Sequence, residues 1–286
     1  FVAVYASTHH EEYGELVMLE NFDLLENGTY ICNAEKSESY PINPAYINPS
    51  WSTNKAHFQL RYGDSMNNLQ VMDVDGSKML KVTKIKASSM WPQFYIFNNG
   101  GTPDGLYTVV ANYVIPKSEL SHLSNINVRV YYSGKASSNV QTTVSSLAGS
   151  DAGLSVACSV AAAAGTDITA IPKIQFFATA DSTDYKTSYY VDSIAIYRKS
   201  AVANFKLSDS KTHKIFFTPG DEITLPRSYE IMDSIPDGHV LKGFKLGGTM
   251  YYEGQKYTTK STDSVIDFEV VYEKRTYALK FETGKE

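Results

Sequence analysis

The chain has 286 residues, a length that suits one large domain or two smaller ones with ample apolar content for a core. A formal net charge of -5 without any basic run argues against a nucleic-acid partner, which favours a clustered basic face. Tyrosine stands out at 21 residues beside 13 Phe and 2 Trp, and with plentiful Ser, Thr, Asn and Gly this is the make-up of a secreted, β-rich protein with polar loops.

The chain opens directly on strand-like FVAVY (1–5), which is expected of a piece excised from something longer. From 16 to 199 short β runs alternate with turns: LVMLENFD, HFQLRYG, LQVMDVDG, KMLKVTKI, PQFYIFNN, GLYTVVANYVIP, NINVRVYYSG, NVQTTVSSL, LSVACSVAA, KIQFFATA and YYVDSIAIYRK. They are rich in Val, Ile, Tyr, Phe and Thr and bounded by Gly, Asn, Asp or Pro, as strands are. Many close strands with no long amphipathic helix predict an all-β antiparallel sandwich of the jelly-roll kind. The segment 35–55 breaks the pattern, because three prolines there forbid a regular central strand, and it reads as a long surface loop. LSVACSVAAAAG (154–165) is too short to span a bilayer and reads as a buried strand or short helix. For Cys32 and Cys158 two readings stand, a disulfide or two buried free thiols.

The stretch MWPQFYIFNNGG (90–101) carries aromatic mass on both faces of one strand. Period-two alternation sends Phe94 and Ile96 one way, into the core, and Gln93, Tyr95 and Phe97 the other. The second face is covered either by protein or by a ligand.

After 200 lysines and charged residues rise and a second unit runs to 275. LKFETGK (279–285) repeats FKLSDSK (205–211), and FVAVY (1–5) is similar to FEVVY (268–272). The expected organisation is therefore a repeat tail at 1–15, a β-sandwich at 16–199, a small β-rich module at 200–275 and the head of a further repeat at 276–286, within an extended multi-domain surface protein.

Two resemblances follow. The second unit, with PGDEITLP (219–226), GFKLGG (243–248), GQKY (254–257) and the closing FEVVYEK, resembles the Listeria–Bacteroides repeat, a small β-grasp-like module; that family usually has a tryptophan near the position of Leu246. This resemblance implies a spacer or adhesive stalk. Residues 16–199 resemble the jelly-roll carbohydrate-binding modules of the galactose-binding-like type, through ENFD (20–23), MDVDGSKMLKVT (72–83) and YYVDSIAIY (189–197), with Ser193 where a second Asp is common. That resemblance implies non-catalytic binding of a polysaccharide, a starch-type α-glucan or a plant cell-wall glycan, by a secreted or cell-surface bacterial protein. It also implies a structural Ca²⁺ tying the first strand to the last through Glu20, Asp23 and Asp192, with metal-free surface carboxylates as the alternative.

A sugar site needs flat apolar faces for C–H groups and polar groups at the ring edge. The candidates are Trp51 with Tyr40 and Tyr46 in the proline-rich loop, then Trp91, Tyr95 and Phe97, with Asn98, Asn99 and Gln93 for the hydroxyls. For Trp91 a core position stands beside the ligand reading, and the loop aromatics alternatively close one end of the sandwich. Tyr131, Tyr132 and Tyr185 are the next platforms to examine. Catalysis finds little support: the six histidines are scattered, and no HExxH, GxSxG, Walker sequence or metal-spaced cysteine pair is present. A structural or protein-adhesive module without a glycan site is the second reading, and a carbohydrate-active enzyme the third.

Overall fold

The computed structural model describes residues 11–32, 40–42, 56–60, 67–84, 92–98, 105–132, 135–143, 153–162, 173–180 and 186–276. The chain divides into two compact units, Phe1–Lys199 and Ser200–Glu286.

In the first unit the strands are β1 (Glu15–Glu20), β2 (Tyr30–Cys32), β3 (Tyr40–Pro41), β4 (Ala56–Gln59), β5 (Asn67–Val74), β6 (Ser77–Lys84) and β7 (Gln93–Asn98). They continue as β8 (Gly105–Val114), β9 (Leu123–Tyr132), β10 (Lys135–Thr143), β11 (Gly153–Ala162), β12 (Lys173–Ala180) and β13 (Ser188–Lys199). Two antiparallel sheets result. The first has the order β11-β8-β13-β6-β5-β2, with β1 on β13; the second has the order β10-β9-β12-β7-β4-β3. The unit is an all-β sandwich. One continuous core lies between the sheets, with Val71, Val82, Tyr113 and Ile196 from the first facing Phe58, Phe94, Val128 and Phe176 from the second. Phe94 and Phe176 stack at 4.8 Å, so the aromatic choice at these inward positions fills the gap between neighbouring strands.

Strand β13 changes partner along its length. Ser188 to Val191 pair with β6, and Ile194 to Arg198 pair with β1 on the same edge. Asp192 falls at the changeover, where a bulge also shifts the register against β8. This is how the end of β1 and the middle of β13 come to one corner.

Two short strands were not legible as runs. β2 is only YIC, and β3 is a two-residue edge strand containing Pro41, within the segment read as a loop. An edge is where a sheet tolerates proline. Of the two cysteine readings, the structure speaks against the disulfide: Cys32 is buried in the core between the sheets. Cys158 sits on β11, at the opposite end of the same sheet from β2, roughly 24 Å away at ~4.8 Å per strand.

The second unit has β14 (Ala201–Lys206), β15 (Thr212–Phe217), β16 (Glu222–Thr224), β17 (His239–Leu246), β18 (Thr249–Tyr251), β19 (Lys256–Thr258) and β20 (Val265–Lys274). Its main sheet runs β15-β14-β20-β17-β18, with β14 parallel to β20. Phe205 lies at the centre of the core, stacked on Phe268 at 4.9 Å and edge-on to Phe244 at 5.0 Å. GFKLGG forms the β17–β18 hairpin: Gly247 and Gly248 take φ of 54° and 89°, the positive values that a two-residue turn of this hand requires. The repeat-like ends are mostly beyond the described residues. Within the segment read as a preceding tail, Tyr13 packs against Tyr197 of the first unit at 5.8 Å.

Candidate functional site

The outward face of the second sheet is built by alternation. Because Phe94, Ile96, Val128, Val130, Ile174 and Phe176 enter the core, their strand neighbours take the other side. Register then brings three rungs together. Tyr131 pairs with Lys173, and Lys173 with Phe97. Arg129 pairs with Gln175, Gln175 with Tyr95, and Tyr95 with Gln59. Asn127 pairs with Phe177, and Phe177 with Gln93.

These side chains form one polar chain. Arg129 Nη1 donates to Tyr131 Oη at 3.3 Å, and Tyr131 Oη donates to Gln175 Oε1 at 2.7 Å. Gln175 Nε2 donates to Gln93 Oε1, which also accepts from Tyr95 Oη at 3.4 Å. Two cations lie over the rings: Lys173 Nζ is 4.3 Å from the centre of Tyr95 and 4.8 Å from that of Tyr131. The Arg129 guanidinium is 4.9 Å from the centre of Phe177. Cation–ring attraction of this kind is worth about 0.5–2 kcal/mol and holds long, flexible side chains in place.

Burial sorts the face into two layers. Gln93, Tyr95, Asn127, Gln175 and Phe177 are buried, while Arg129, Tyr131, Lys173, His57 and Gln59 are half-exposed. The buried amides are satisfied by the chain just described, with one exception. Asn127 is 2% exposed, and among the described residues its Nδ2 has no hydrogen-bond partner. A buried donor left this way costs about 1–3 kcal/mol unless something else supplies an oxygen.

The residues singled out in the sequence are placed as follows. Tyr95 is on this face but buried, with Lys173 over its ring. Phe97 and Asn98 are described by their backbone in β7, Phe97 at the rung of Lys173 and His57. Tyr40 is described by its backbone in β3, opposite Phe58. Trp51, Trp91, Tyr46 and Asn99 lie outside the described residues. Tyr131 holds a central place. Asn127, Arg129, Lys173, Gln175 and Phe177 were missed; the alternation of Lys173, Gln175 and Phe177 in KIQFFATA was the available signal.

Of the three carboxylates associated with calcium, Glu20 ends β1, Asp192 lies in β13, and Asp23 is near enough to act on both electrostatically. Asp23 raises the pKa of both Glu20 and Asp192 by repulsion, after burial, which is the larger cause in each. Glu20 is pushed up to about 7 although its Oε1 accepts the Phe22 N–H at 2.8 Å, and Phe22 itself sits at a φ of 62°. Lys78 Nζ donates to the carbonyl oxygens of Asp23 and Leu25, so an ammonium already serves this loop. Among the described residues no group of three or more Asp, Glu, His or Cys is arranged to hold a metal.

The second unit has a cleft of about 580 Å³ lined by Tyr229, Met232, Ile235, His239, Glu253 and Arg275. Its Glu253 carboxylate accepts the Ser228 N–H at 2.7 Å, which lowers its pKa.

No family model and no curated protein matches the chain. Among solved structures it is similar to the arabinose-bound α-L-arabinofuranosidase MgGH51, at 11% identity and a TM-score of 0.38, over 68% of this chain and 28% of the enzyme. It is also similar to the Stig cyclase Fisc from Fischerella sp. TAU, at 8% identity and a TM-score of 0.37, over 64% of this chain and 98% of the cyclase. A third is a structure described as "CBM4 structure and function", at 16% identity and a TM-score of 0.33, over 62% of this chain and 96% of that one. These likenesses do not share one activity, and the chemistry of the face has to be argued from its own residues.

Proposed function

We propose that the first unit binds a polysaccharide without cleaving it, on the outward face of its second sheet. The carrying observation is the unpartnered Asn127 donor set among rings and amides that are already fixed by one another. A pyranose offers what such a face lacks: ring-edge oxygens for the donors and C–H groups for apolar surface. The half-exposed layer of Tyr131, Arg129, Lys173, His57 and Gln59 meets the ligand, and the buried layer positions it, except that Asn127 offers its Nδ2 donor to a ligand oxygen. None of the sheet's six strands contains Asp or Glu, whereas glycoside hydrolysis commonly uses a pair of carboxylates. That supports binding over catalysis. The ligand class is a starch-type α-glucan or plant cell-wall glycan, and the setting a secreted or cell-surface bacterial protein with the second unit as spacer.

Affinity electrophoresis against a polysaccharide panel tests this reading. At least one glycan should retard the protein, and Tyr131→Ala should weaken that binding tenfold or more, about 1.4 kcal/mol. Absence of retardation by every glycan, or retardation indifferent to Tyr131→Ala, contradicts it. Release of reducing sugar would restore the enzyme reading.

A protein-adhesive role is a second reading, favoured by one feature of the second unit. Tyr229 is 65% exposed and Met232 63% exposed at the cleft. Beside them His239, Val240 and Leu241 pair with β20 on one edge, while β18 pairs only with Phe244, Lys245 and Leu246 on the other. The His239 N–H is taken by the Pro236 carbonyl at 3.0 Å, but among the described residues no strand pairs with Val240 and Leu241 opposite β20, and such an edge beside exposed apolar side chains suits an added peptide strand.

A further inference from the structure

We infer that the glycan taken by the outward face is acidic, and that Arg129 and Lys173 read the oxyanion on its sugar units, a uronic carboxylate. This rests on the binding reading above.

The first observation is the charge of the sheet. Its six strands carry Arg129, Lys135, Lys173 and His57 and no Asp or Glu, in a chain with 31 acidic residues. The carboxylates that the first unit's strands do contain, such as Glu20, Asp73 and Asp192, belong to the other sheet. Within these strands the formal charge has a sign opposite to that of the whole molecule.

The second observation is the placement of the cations. Arg129 and Lys173 are on neighbouring strands, one rung apart on the diagonal, a separation of roughly 7–8 Å between backbones. Each is braced over an aromatic ring, and Arg129 is tied further to Tyr131 Oη. Both are half-exposed. Bracing removes much of the rotamer freedom that a lysine or arginine would otherwise lose on binding.

The third observation is the hydrogen-bonding character of what meets the ligand. Ammonium and guanidinium groups donate and cannot accept. Asn127 adds a buried Nδ2 donor without a partner among the described residues, beside Phe177 and one position along the face from Arg129. A neutral sugar hydroxyl both donates and accepts, whereas a carboxylate only accepts, with about four lone-pair sites. Charge-assisted hydrogen bonds to it are roughly twice as strong as neutral ones. A donor-rich surface therefore suits an acidic sugar better than a neutral one. A sulfate ester shares this chemistry.

The test is calorimetric titration of the whole chain with polygalacturonate and with the same polymer fully methyl-esterified, alongside dextran sulfate and neutral dextran. The free acid should bind at least tenfold more tightly than the ester at 50 mM NaCl, and the gap should narrow at 500 mM. Lys173→Gln and Arg129→Gln should each remove that preference, while the exposed Lys260→Gln in the second unit leaves it intact. A tenfold preference for dextran sulfate over dextran, without one for the uronan, keeps the oxyanion and assigns it to sulfate. Equal binding of acid and ester, with no preference for sulfate, overturns the inference and leaves the glycan reading standing. Equal loss from Lys260→Gln means diffuse attraction and also overturns it. If no glycan in this set or in the neutral panel binds, the glycan reading falls and the inference with it.

Discussion

Glu20 shows how a single side chain sets a condition on the whole fold. Burial, with the repulsion of Asp23 added, lifts its pKa from an ordinary 4.5 to about 7. Between those values the folded chain keeps a proton that the unfolded chain has released, so stability must fall as pH rises. The size is about 3 kcal/mol between pH 4 and pH 8, and the raised pKa of Asp192 acts in the same direction. Thermal melts in EDTA should show a lower Tm at pH 8 than at pH 5, and Glu20→Gln should flatten the profile. A Tm that rises across that window would show that Glu20 is not protonated in the fold. Calcium added to the same melts tests the metal expectation: an ion held by Glu20, Asp23 and Asp192 raises Tm at pH 8 and much less at pH 5, and unchanged melts remove it. The identities of these three residues were legible in the sequence through ENFD and YYVDSIAIY. The burial of Glu20 was not, because it depends on the pairing of β1 with β13; Asp23 stays exposed and Asp192 half-buried.

At the scale of elements, alternation was the readable signal and register was not. PQFYIFNN announced that Phe94 and Ile96 face the core and that Gln93 and Tyr95 do not, as found. The Lys173 ammonium over the Tyr95 ring comes from β12, and the hydrogen bond from Gln175 to Gln93 spans 82 positions. No local pattern encodes that pairing, since a slip of one residue would invert every side chain. Trp51 stands out in the sequence because a ring amid Pro, Asn and Ser has no visible core face, whereas Lys173, Gln175 and Phe177 look ordinary until β9 and β7 flank them. In the second unit the reverse holds, and GFKLGG carries its own geometry. A Cβ on Gly243 would meet the Tyr251 carbonyl oxygen at 2.3 Å, so only glycine allows β18 to close on β17 there. Gly243→Ala should cost about 1–3 kcal/mol as an overpacking change, seen as a lower denaturation midpoint for the second unit. A midpoint equal to wild type would mean that the two strands do not approach as described.

For the whole molecule, the β class and most of the run of strands were legible because the longer strands are themselves largely apolar and β-branched or aromatic. The site was legible only in kind, as aromatic rings with amides, since its members come from strands spread along the first unit. The central claim is that this face is built for an outside ligand and that Asn127 Nδ2 awaits an oxygen from it. The direct measurement is the side-chain amide resonance pair of Asn127 in ¹⁵N-labelled protein, assigned through Asn127→Asp and followed during titration with whichever glycan retards the protein. The account predicts that this pair shifts and that its exchange with solvent slows as the ligand saturates, together with the side-chain amides of Gln175 and Gln93. Saturating glycan that leaves Asn127, Gln175 and Gln93 unmoved while shifting signals elsewhere would contradict it.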